Sequence, residues 1–311
     1  MLDVLDTYKI SKDDLKIIFN EKLVSLDEDG FLVWNEERKP YKGVYGDIKR
    51  LCSFKSLMGF KKENSDELAR VIMWNFPVDF FKCFDESYIF TYLWEGSIQK
   101  SYFDIHGIKY EKYMLDYDRQ LIPHCKEIEY EKRRNVADLI NIYDGKFNKI
   151  GMKIGKSNPL SKSWYEDKRK KNRSIFSQLK NNTENYFRTV TKTKSIDNMY
   201  TVFKPYCKYV KGKGFANGFV SCNARGTNEF KNKKSLAYLI NFFMSPDIKQ
   251  FVEHYHIEFD DNLFSLSALL QWIWRSQIRD GNPIDLYIPS ERMRELLKIW
   301  INECKTMSEA A

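Results

Sequence analysis

The hydrophobic positions of the first 115 residues fall into short runs that predict alternating strands and helices. Residues 13–20 have helical spacing, and Asp-Glu-Asp-Gly at 27–30 predicts a hairpin turn. The runs VIMWNF at 71–76 and YIFTYL at 88–93 are rich in aromatic and β-branched residues, which predicts strands, and a helix is predicted over 95–107. Strands that alternate with helices predict a parallel sheet in an α/β fold.

A polar, proline-containing segment at 116–135 interrupts this pattern and predicts a domain boundary. We therefore expect one domain over residues 1–117 and a second over residues 118–311. In the second domain, helical spacing predicts long helices over 176–190 and 291–302. Strands are predicted there at 199–203, 219–223, 235–243 and 284–289.

A further helix is predicted from residue 266 onward, and it carries a polar stripe. Gln271, Arg275 and Arg279 are spaced four residues apart, so that on a helix they lie on one face. Trp272 and Ile278 border this stripe on its two sides, which predicts that the arginines line a cleft. The alternative is a helix whose arginines coat its outer, solvated face.

The composition indicates a folded protein without a metal site. Of the 311 residues, 43% are hydrophobic and 30% are charged, as in globular domains, and the length is enough for two of them. Six cysteines are scattered without a Cys-x-x-Cys pair, which favours a reducing cytosol over a disulfide framework or a zinc ribbon. No apolar run is long enough for a membrane span and the start of the chain is too acidic for a signal peptide, so we expect a cytoplasmic protein with no membrane partner. The spacing of the cysteines and histidines completes no metal site, so we also expect no metal.

The positive charge is concentrated in one segment. The net charge is +8, yet residues 166–235 hold 17 Lys and Arg against 5 Asp and Glu, so that the remaining residues sum to −4. Such a local excess is typical of a surface that binds the phosphates of DNA or RNA without sequence preference. A solvated charge run is the alternative. The residues expected to contact nucleic acid in this segment are Lys168, Arg169, Lys170, Lys171, Arg173, Lys211 and Lys213.

Two loops have compositions that suit the binding of phosphates. GMKIGKSN at 151–158 is one residue short of the spacing of an ATP-binding phosphate loop, and Pro159 stands where the following helix would begin. We therefore predict that it is not such a loop. Asn-Ala-Arg-Gly-Thr-Asn at 223–228 follows a predicted strand, where α/β proteins bind ligands, although plain turns have the same composition.

Several stretches resemble the superfamily 2 (DEAD/DEAH-like) helicases encoded by phages and integrative elements of Gram-positive bacteria. NARGTN at 223–228 is similar to their motif V, and QWIWRSQIRDG at 271–281 is similar to their motif VI, Gln-x-x-Gly-Arg-x-x-Arg-x-Gly. YIPSERM at 287–293 and the aromatic run at 74–92 also resemble stretches of those proteins. The resemblance extends from about residue 41 onward, and its C-terminal part is the more specific.

The resemblance implies a RecA-like fold, with an incomplete first domain and a second RecA-like domain that carries a basic helical insertion at about 160–195. It also implies roles for individual residues, since Arg275 and Arg279 match the catalytic arginines that reach the γ-phosphate of ATP. Trp274 stands in place of the motif's glycine, and one additional residue separates the two arginines, which puts the register of the motif in doubt. The other residues implicated are Gln271 in motif VI, Thr91 in coupling, and Asn223, Arg225, Gly226, Thr227 and Asn228 in nucleic-acid contact.

We therefore expect a helicase-like nucleic-acid-binding protein that supplies the motif V and VI half of an ATP-dependent motor in a bacterial or phage-infected cell. ATP and Mg²⁺ are expected only if a partner chain or a missing segment supplies the phosphate-binding loop, and the chain alone is expected to be inactive as an ATPase. The alternative is a non-enzymatic phage or mobile-element protein that binds nucleic acid or a partner. A metal-dependent nuclease is a third possibility.

Overall fold

The computed structural model describes residues 4–35, 37, 40–61, 70–224 and 228–306. The chain divides into two compact units, each of which has its own core. Unit 1 is formed by Met1–Tyr110 and Met244–Phe264, and unit 2 by Glu111–Phe243 and Ser265–Ala311. None of the described helices is long and apolar enough to cross a membrane.

The strands of the described residues are short, whereas the helices range from four to 16 residues. The strands are β1 (Leu5–Thr7), β2 (Val24–Leu26), β3 (Leu32–Trp34), β4 (Leu57–Lys61), β5 (Arg70–Asn75), β6 (Tyr113–Leu115), β7 (Leu121–Pro123), β8 (Ile140–Ile142), β9 (Asn198–Thr201), β10 (Ser235–Tyr238) and β11 (Ile284–Tyr287). The α-helices are α1 (Lys12–Asn20), α2 (Gly46–Ser53), α3 (Ile98–Ile105), α4 (Lys126–Ala137), α5 (Lys162–Lys171), α6 (Ser174–Asn185), α7 (Cys207–Val210), α8 (Pro246–His254), α9 (Asp261–Ile273) and α10 (Glu291–Thr306).

The first elements of unit 1 confirm the local sequence predictions. Helix α1 begins after Ser11, whose hydroxyl oxygen accepts a hydrogen bond from the backbone N–H of Asp14 at 3.0 Å and so caps the helix. Strands β2 and β3 form the expected hairpin. In its turn, the carboxylate of Asp27 accepts from the N–H of Phe31 at 2.8 Å, and Gly30 has φ +85°, a conformation that glycine adopts readily.

The sheet of unit 1 corrects the prediction of a parallel, RecA-like sheet in the first part of the chain. Its order is β1-β5-β4, and both pairings are antiparallel. The predicted strand at 71–76 is present as β5, whereas residues 88–93 form no strand. Tyr88 and Phe90 in that run are 62% and 84% exposed, which is incompatible with the two covered faces of a strand in a parallel sheet.

Unit 2 contains the parallel sheet that the sequence predicts. Its strand order is β8-β11-β10-β9, and all three pairings are parallel. Every residue of β9 and β10 is buried, as expected for strands covered on both faces. The fold class of this unit is therefore α/β.

Helices α5, α6 and α7 cover one face of this sheet through an aromatic core. Tyr200, Ala237 and Tyr287 are the sheet residues that pack into this core. On the opposite face, the ring of Tyr238 lies 5.3 Å from that of Trp272 in α9, and the indole N–H of Trp272 donates to the carbonyl oxygen of Val220 at 3.1 Å. The sheet thus lies between two helical layers.

The basic segment at 160–195 is not an addition to this core but a part of it. It joins β8 to β9, which lie at opposite edges of the sheet, and it contributes Tyr165, Phe176 and Leu179 to the buried aromatic core. The predicted boundary after residue 117 lies in the turn between β6 and β7, which belongs to unit 2. The identity of the two predicted domains stays a prediction.

Candidate nucleic-acid interface

The C-terminal turn of α5 presents the basic run to solvent. Ser161 caps the start of this helix, and four successive basic residues occupy its last turn, where cations interact favourably with the helix dipole. Asp167 forms an ion pair with Lys171 at 2.7 Å, and the hydrogen bond from that ammonium lowers the pKa of the Asp167 carboxyl. With this single carboxylate, residues 167–173 keep a net charge of +4. Arg169, Lys170, Lys171 and Arg173 are exposed and Lys168 is half-buried.

Stacked aromatic rings fix the helices that carry these charges. The ring of Tyr165 in α5 lies 5.9 Å from that of Phe176 in α6 and 4.9 Å from that of Tyr206, next to α7. Phe176 in turn stacks on Tyr209 of α7 at 5.4 Å. Burial raises the pKa of Tyr206, and the charges of Glu166 and Arg169 act on it in opposite directions. The basic end of α5 is therefore packed beside α7.

A shallow depression of about 390 Å³ between α6 and α7 is surrounded by lysines. Its lining includes Lys180 from α6, Lys208 from α7, and Lys211 and Lys213 on either side of Gly212. A Cβ atom on Gly212 would lie 2.6 Å from both the Glu184 carboxylate and a ring atom of Phe215, so a side chain at this position would have to displace one of these groups.

The loop of this depression is anchored by a single carboxylate. Glu184 accepts a hydrogen bond from the backbone N–H of Lys213 at 2.7 Å, which holds the lysine backbone against α6. Four lysines thus line one depression, and an open positive surface of this kind suits phosphate oxygens. The expected contact residues Lys211 and Lys213 lie here.

Lys180 and Lys208 join this site although the sequence analysis did not select them. Lys208 and Lys211 are three residues apart, and this helical spacing is a signal that could have identified Lys208. No comparable signal marks Lys180, which reaches the depression only because α6 packs against α7.

The predicted arginine stripe is corrected by the structure. Helix α9 ends at Ile273, and a separate 3-10 turn spans Gln277–Asp280, so Gln271, Arg275 and Arg279 do not share one helix face. The break has a tertiary cause, because the backbone N–H of Gln277 donates to the carbonyl oxygen of Lys233 at 3.0 Å instead of continuing the helix.

Around this break, the predicted catalytic residues have different surroundings. The side-chain amide of Gln271 donates to the Ser267 hydroxyl at 3.0 Å within α9. Arg275 is half-buried, whereas Arg279 is exposed. The guanidinium Nη1 of Arg279 donates to the side-chain carbonyl of Asn228 at 2.6 Å, so the structure joins one predicted arginine to the loop at 223–228.

The rest of that loop is described only in part. Arg225, Gly226 and Thr227 lie outside the described residues. The side chain of Asn223 accepts a hydrogen bond from Ser221 at 2.5 Å. In place of the strand predicted at 219–223, the structure has a single parallel β-bridge between Phe219 and Tyr200 of β9.

Thr91 belongs to unit 1, in the segment that forms no strand. Its predicted role in coupling stays a prediction. Within the ranges that the structure describes, no three His, Cys, Asp or Glu residues are grouped so as to hold a metal ion.

Comparisons with known proteins give a consistent family assignment. Residues 134–301 match the family model described as the YonV C-terminal Rossmann-like domain, and residues 5–74 match the YonV middle domain. The chain is 37% identical over 308 residues to the "SPbeta prophage-derived uncharacterized protein YonV" of Bacillus subtilis (strain 168), an alignment that covers 96% of the chain and 72% of that relative. No solved structure matches the chain. The predicted phage-type origin is confirmed, whereas the resemblance to superfamily 2 helicases is not and stays a prediction.

Proposed function

The chain belongs to the YonV family of phage-derived proteins, and we propose that its Rossmann-like unit 2 binds nucleic acid through the phosphate backbone. The observation that carries this proposal is the lysine depression between α6 and α7, together with the basic end of α5 that packs beside α7. We name this combined surface, formed by the residues at 168–173, 180, 208, 211 and 213, the basic face.

The distribution of charge between the two units supports this proposal. Unit 1 contains 17 Lys and Arg against 24 Asp and Glu, a net charge of −7. Unit 2 contains 34 against 19, a net charge of +15. A polyanion is therefore attracted to unit 2 and repelled by unit 1. Nine of the 34 basic residues of unit 2 lie on the basic face.

The chemistry of the basic face favours backbone contact without sequence preference. Its groups are ammonium and guanidinium ions, which pair with phosphate oxygens wherever these occur along a strand. The aromatic rings that hold the helices are committed to the core, since Tyr165, Phe176 and Tyr206 are buried, which leaves them unsuited to stacking on bases. Both DNA and RNA satisfy these requirements.

Binding of a fluorescently labelled DNA or RNA strand, followed by anisotropy, tests the proposal. We expect the double variant Lys208→Glu/Lys211→Glu to weaken binding by at least about tenfold, because each reversal replaces a phosphate contact by repulsion. The matched control is the double variant Lys126→Glu/Lys156→Glu, which changes the net charge by the same amount at two exposed lysines of unit 2 outside the basic face, and it should leave affinity within about twofold. The proposal would be contradicted if the Lys208→Glu/Lys211→Glu variant and the control lost affinity equally, or if the unaltered chain did not bind nucleic acid.

A second function, the motif V and VI half of an ATP-dependent motor, is favoured by one contact. Arg279 and Asn228 come from the two segments that resemble motifs VI and V, and they are hydrogen bonded at 2.6 Å. The chain would supply these residues, and a partner carrying a phosphate-binding loop would hold ATP and Mg²⁺. This candidate predicts ATP hydrolysis only when such a partner is mixed with the chain, and loss of that activity in Arg279→Ala. Unchanged activity in Arg279→Ala would eliminate it.

A further inference from the structure

A second cavity, whose lining includes polar and charged residues, lies at the carboxyl edge of the parallel sheet. The segments that follow β8, β10 and β11 enclose a cleft of about 140 Å³. In α/β sheets, the crevice at the carboxyl ends of the strands is the usual place for a ligand. The residues that line the cleft, none of which belongs to the basic face, are Gly151, Lys153, Asn158, Pro159, Asn241, Glu291 and Arg292.

Close packing and backbone hydrogen bonds build the walls of this cleft. A Cβ atom on Gly151 would lie 2.1 Å from the carbonyl oxygen of Pro289, so only glycine lets the segment after β8 approach the segment after β11 this closely. The backbone N–H of Lys153 donates to the Glu291 carboxylate at 2.8 Å. Asn241 is held on the third side, where its side-chain amide donates to the carbonyl oxygen of Pro159 at 3.3 Å.

Arg292 is a positioned cation at the edge of the cleft. Its Nη1 donates to the carbonyl oxygen of Phe242 at 2.7 Å and to the side chain of Asn241 at 3.3 Å. Its Nη2 donates to the hydroxyl of Ser265 at 3.1 Å, and its guanidinium lies 4.1 Å from the centre of the Phe243 ring. These contacts orient the guanidinium, and a preorganised cation binds an anion with little further ordering.

The charges and the size of the cleft indicate its ligand. Lys153 and Arg292 contribute two positive charges against the one carboxylate of Glu291, which accepts the Lys153 N–H. The N-terminus of α10 adds a favourable dipole for an anion. A volume of about 140 Å³ equals roughly four or five water molecules and is below the roughly 300 Å³ of pockets that enclose a whole small-molecule ligand.

We propose that this cleft binds a single phosphoryl group, either as inorganic phosphate or as the phosphate of a mononucleotide whose sugar and base remain outside. The segment at 151–158, which lacks the spacing of an ATP-binding loop, thus contributes Gly151, Lys153 and Asn158 to a phosphoryl site of another construction. The site is separate from the basic face, so the two can be tested independently.

Calorimetric titration of the full chain with inorganic phosphate and, separately, with AMP tests this proposal. We expect saturable binding of at least one probe and a loss of at least about tenfold in affinity in Lys153→Glu, because a charge-assisted contact becomes a repulsive one. Lys156→Glu is the matched control, an exposed lysine of the same segment that does not line the cleft, and it should change affinity by less than about twofold. Asn158→Ala provides a second variant that carries no new charge, and it should also weaken binding.

The outcomes separate the possible ligands and the two proposals. Tighter binding of AMP than of phosphate identifies a nucleotide, and equal binding identifies the phosphoryl group alone. The basic-face double variant Lys208→Glu/Lys211→Glu should bind phosphate or AMP as the unaltered chain does, even where nucleic-acid binding is lost. The proposal is overturned if neither probe binds saturably, or if Lys153→Glu and Lys156→Glu behave alike.

Discussion

The salt dependence of nucleic-acid binding provides a quantitative test of the lysine depression. Replacing Lys180, Lys208, Lys211 and Lys213 together by glutamine removes the four charges that surround it. Each lysine that contacts a phosphate of duplex DNA contributes about −0.9 to the slope of log K against log salt concentration, so four contribute about −3.6. Between about 50 and 200 mM salt this part of the affinity falls about 150-fold in the unaltered protein, and the variant should lack that fall.

The slopes are measured by anisotropy of a labelled duplex titrated at several salt concentrations. The control replaces Lys9, Lys12, Lys16 and Lys42, four exposed lysines of unit 1, by glutamine. It lowers the net charge of the chain by the same amount, and its slope should match that of the unaltered protein. If the slopes of the depression variant and the unaltered protein agree within about one unit, the four lysines do not contact phosphates and the argument fails.

Three further predictions concern stability, measured as the free energy of unfolding in urea. Gly151→Ala should lower the free energy of unfolding by about 1–3 kcal/mol, since its Cβ would lie 2.1 Å from a backbone oxygen. Gly46→Ala is the control, because the space around Gly46 is open. Equal stability of the two variants would contradict the packing argument. Burial lowers the pKa of His106 from 6.5 to about 4. The contribution of neutral His106 to the free energy of unfolding is therefore complete above about pH 6.5 and is lost as the pH falls toward 4. The free energy of unfolding of His106→Gln should depend less on pH over this interval, and an unchanged pH profile would refute this prediction. Tyr165→Phe should lose about 1 kcal/mol, because the buried phenol donates to the carbonyl oxygen of Leu239 at 2.6 Å; a loss of zero would show that this bond is not net stabilising.

Elements whose signals are local in the chain could be predicted from the sequence. Helix α1 has its capping serine three residues before the amide that it caps, and the β2–β3 turn contains both its carboxylate and its glycine. The parallel strands β9 and β10 are fully buried and β11 is buried except at Asp285, and their apolar runs are visible for that reason. Such signals do not depend on distant residues.

Two errors show where local signals are insufficient. The run at 88–93 has the composition of a strand, but its aromatic side chains are partly exposed and no neighbouring strand pairs with it among the described residues. The arginine stripe after Gln271 has helical spacing, but the backbone of Gln277 pairs with Lys233, more than forty residues away in the chain. The spacing of residues along a helix gives no information about a hydrogen-bond partner so distant in the sequence.

The amino-acid sequence alone determined that the second part of the chain is α/β and that its positive charge lies near the middle of that part, because burial on two faces and the sign of a side chain are both local properties. Only the tertiary structure decided which cations act together. Lys180 and Lys208 join Lys211 and Lys213 because rings in α6 and α7 stack. Lys153 and Arg292 line one cleft because Gly151 allows two segments after separate strands to approach each other closely. The physical reason is that a binding site requires groups within a few ångströms of each other, and packing sets those distances.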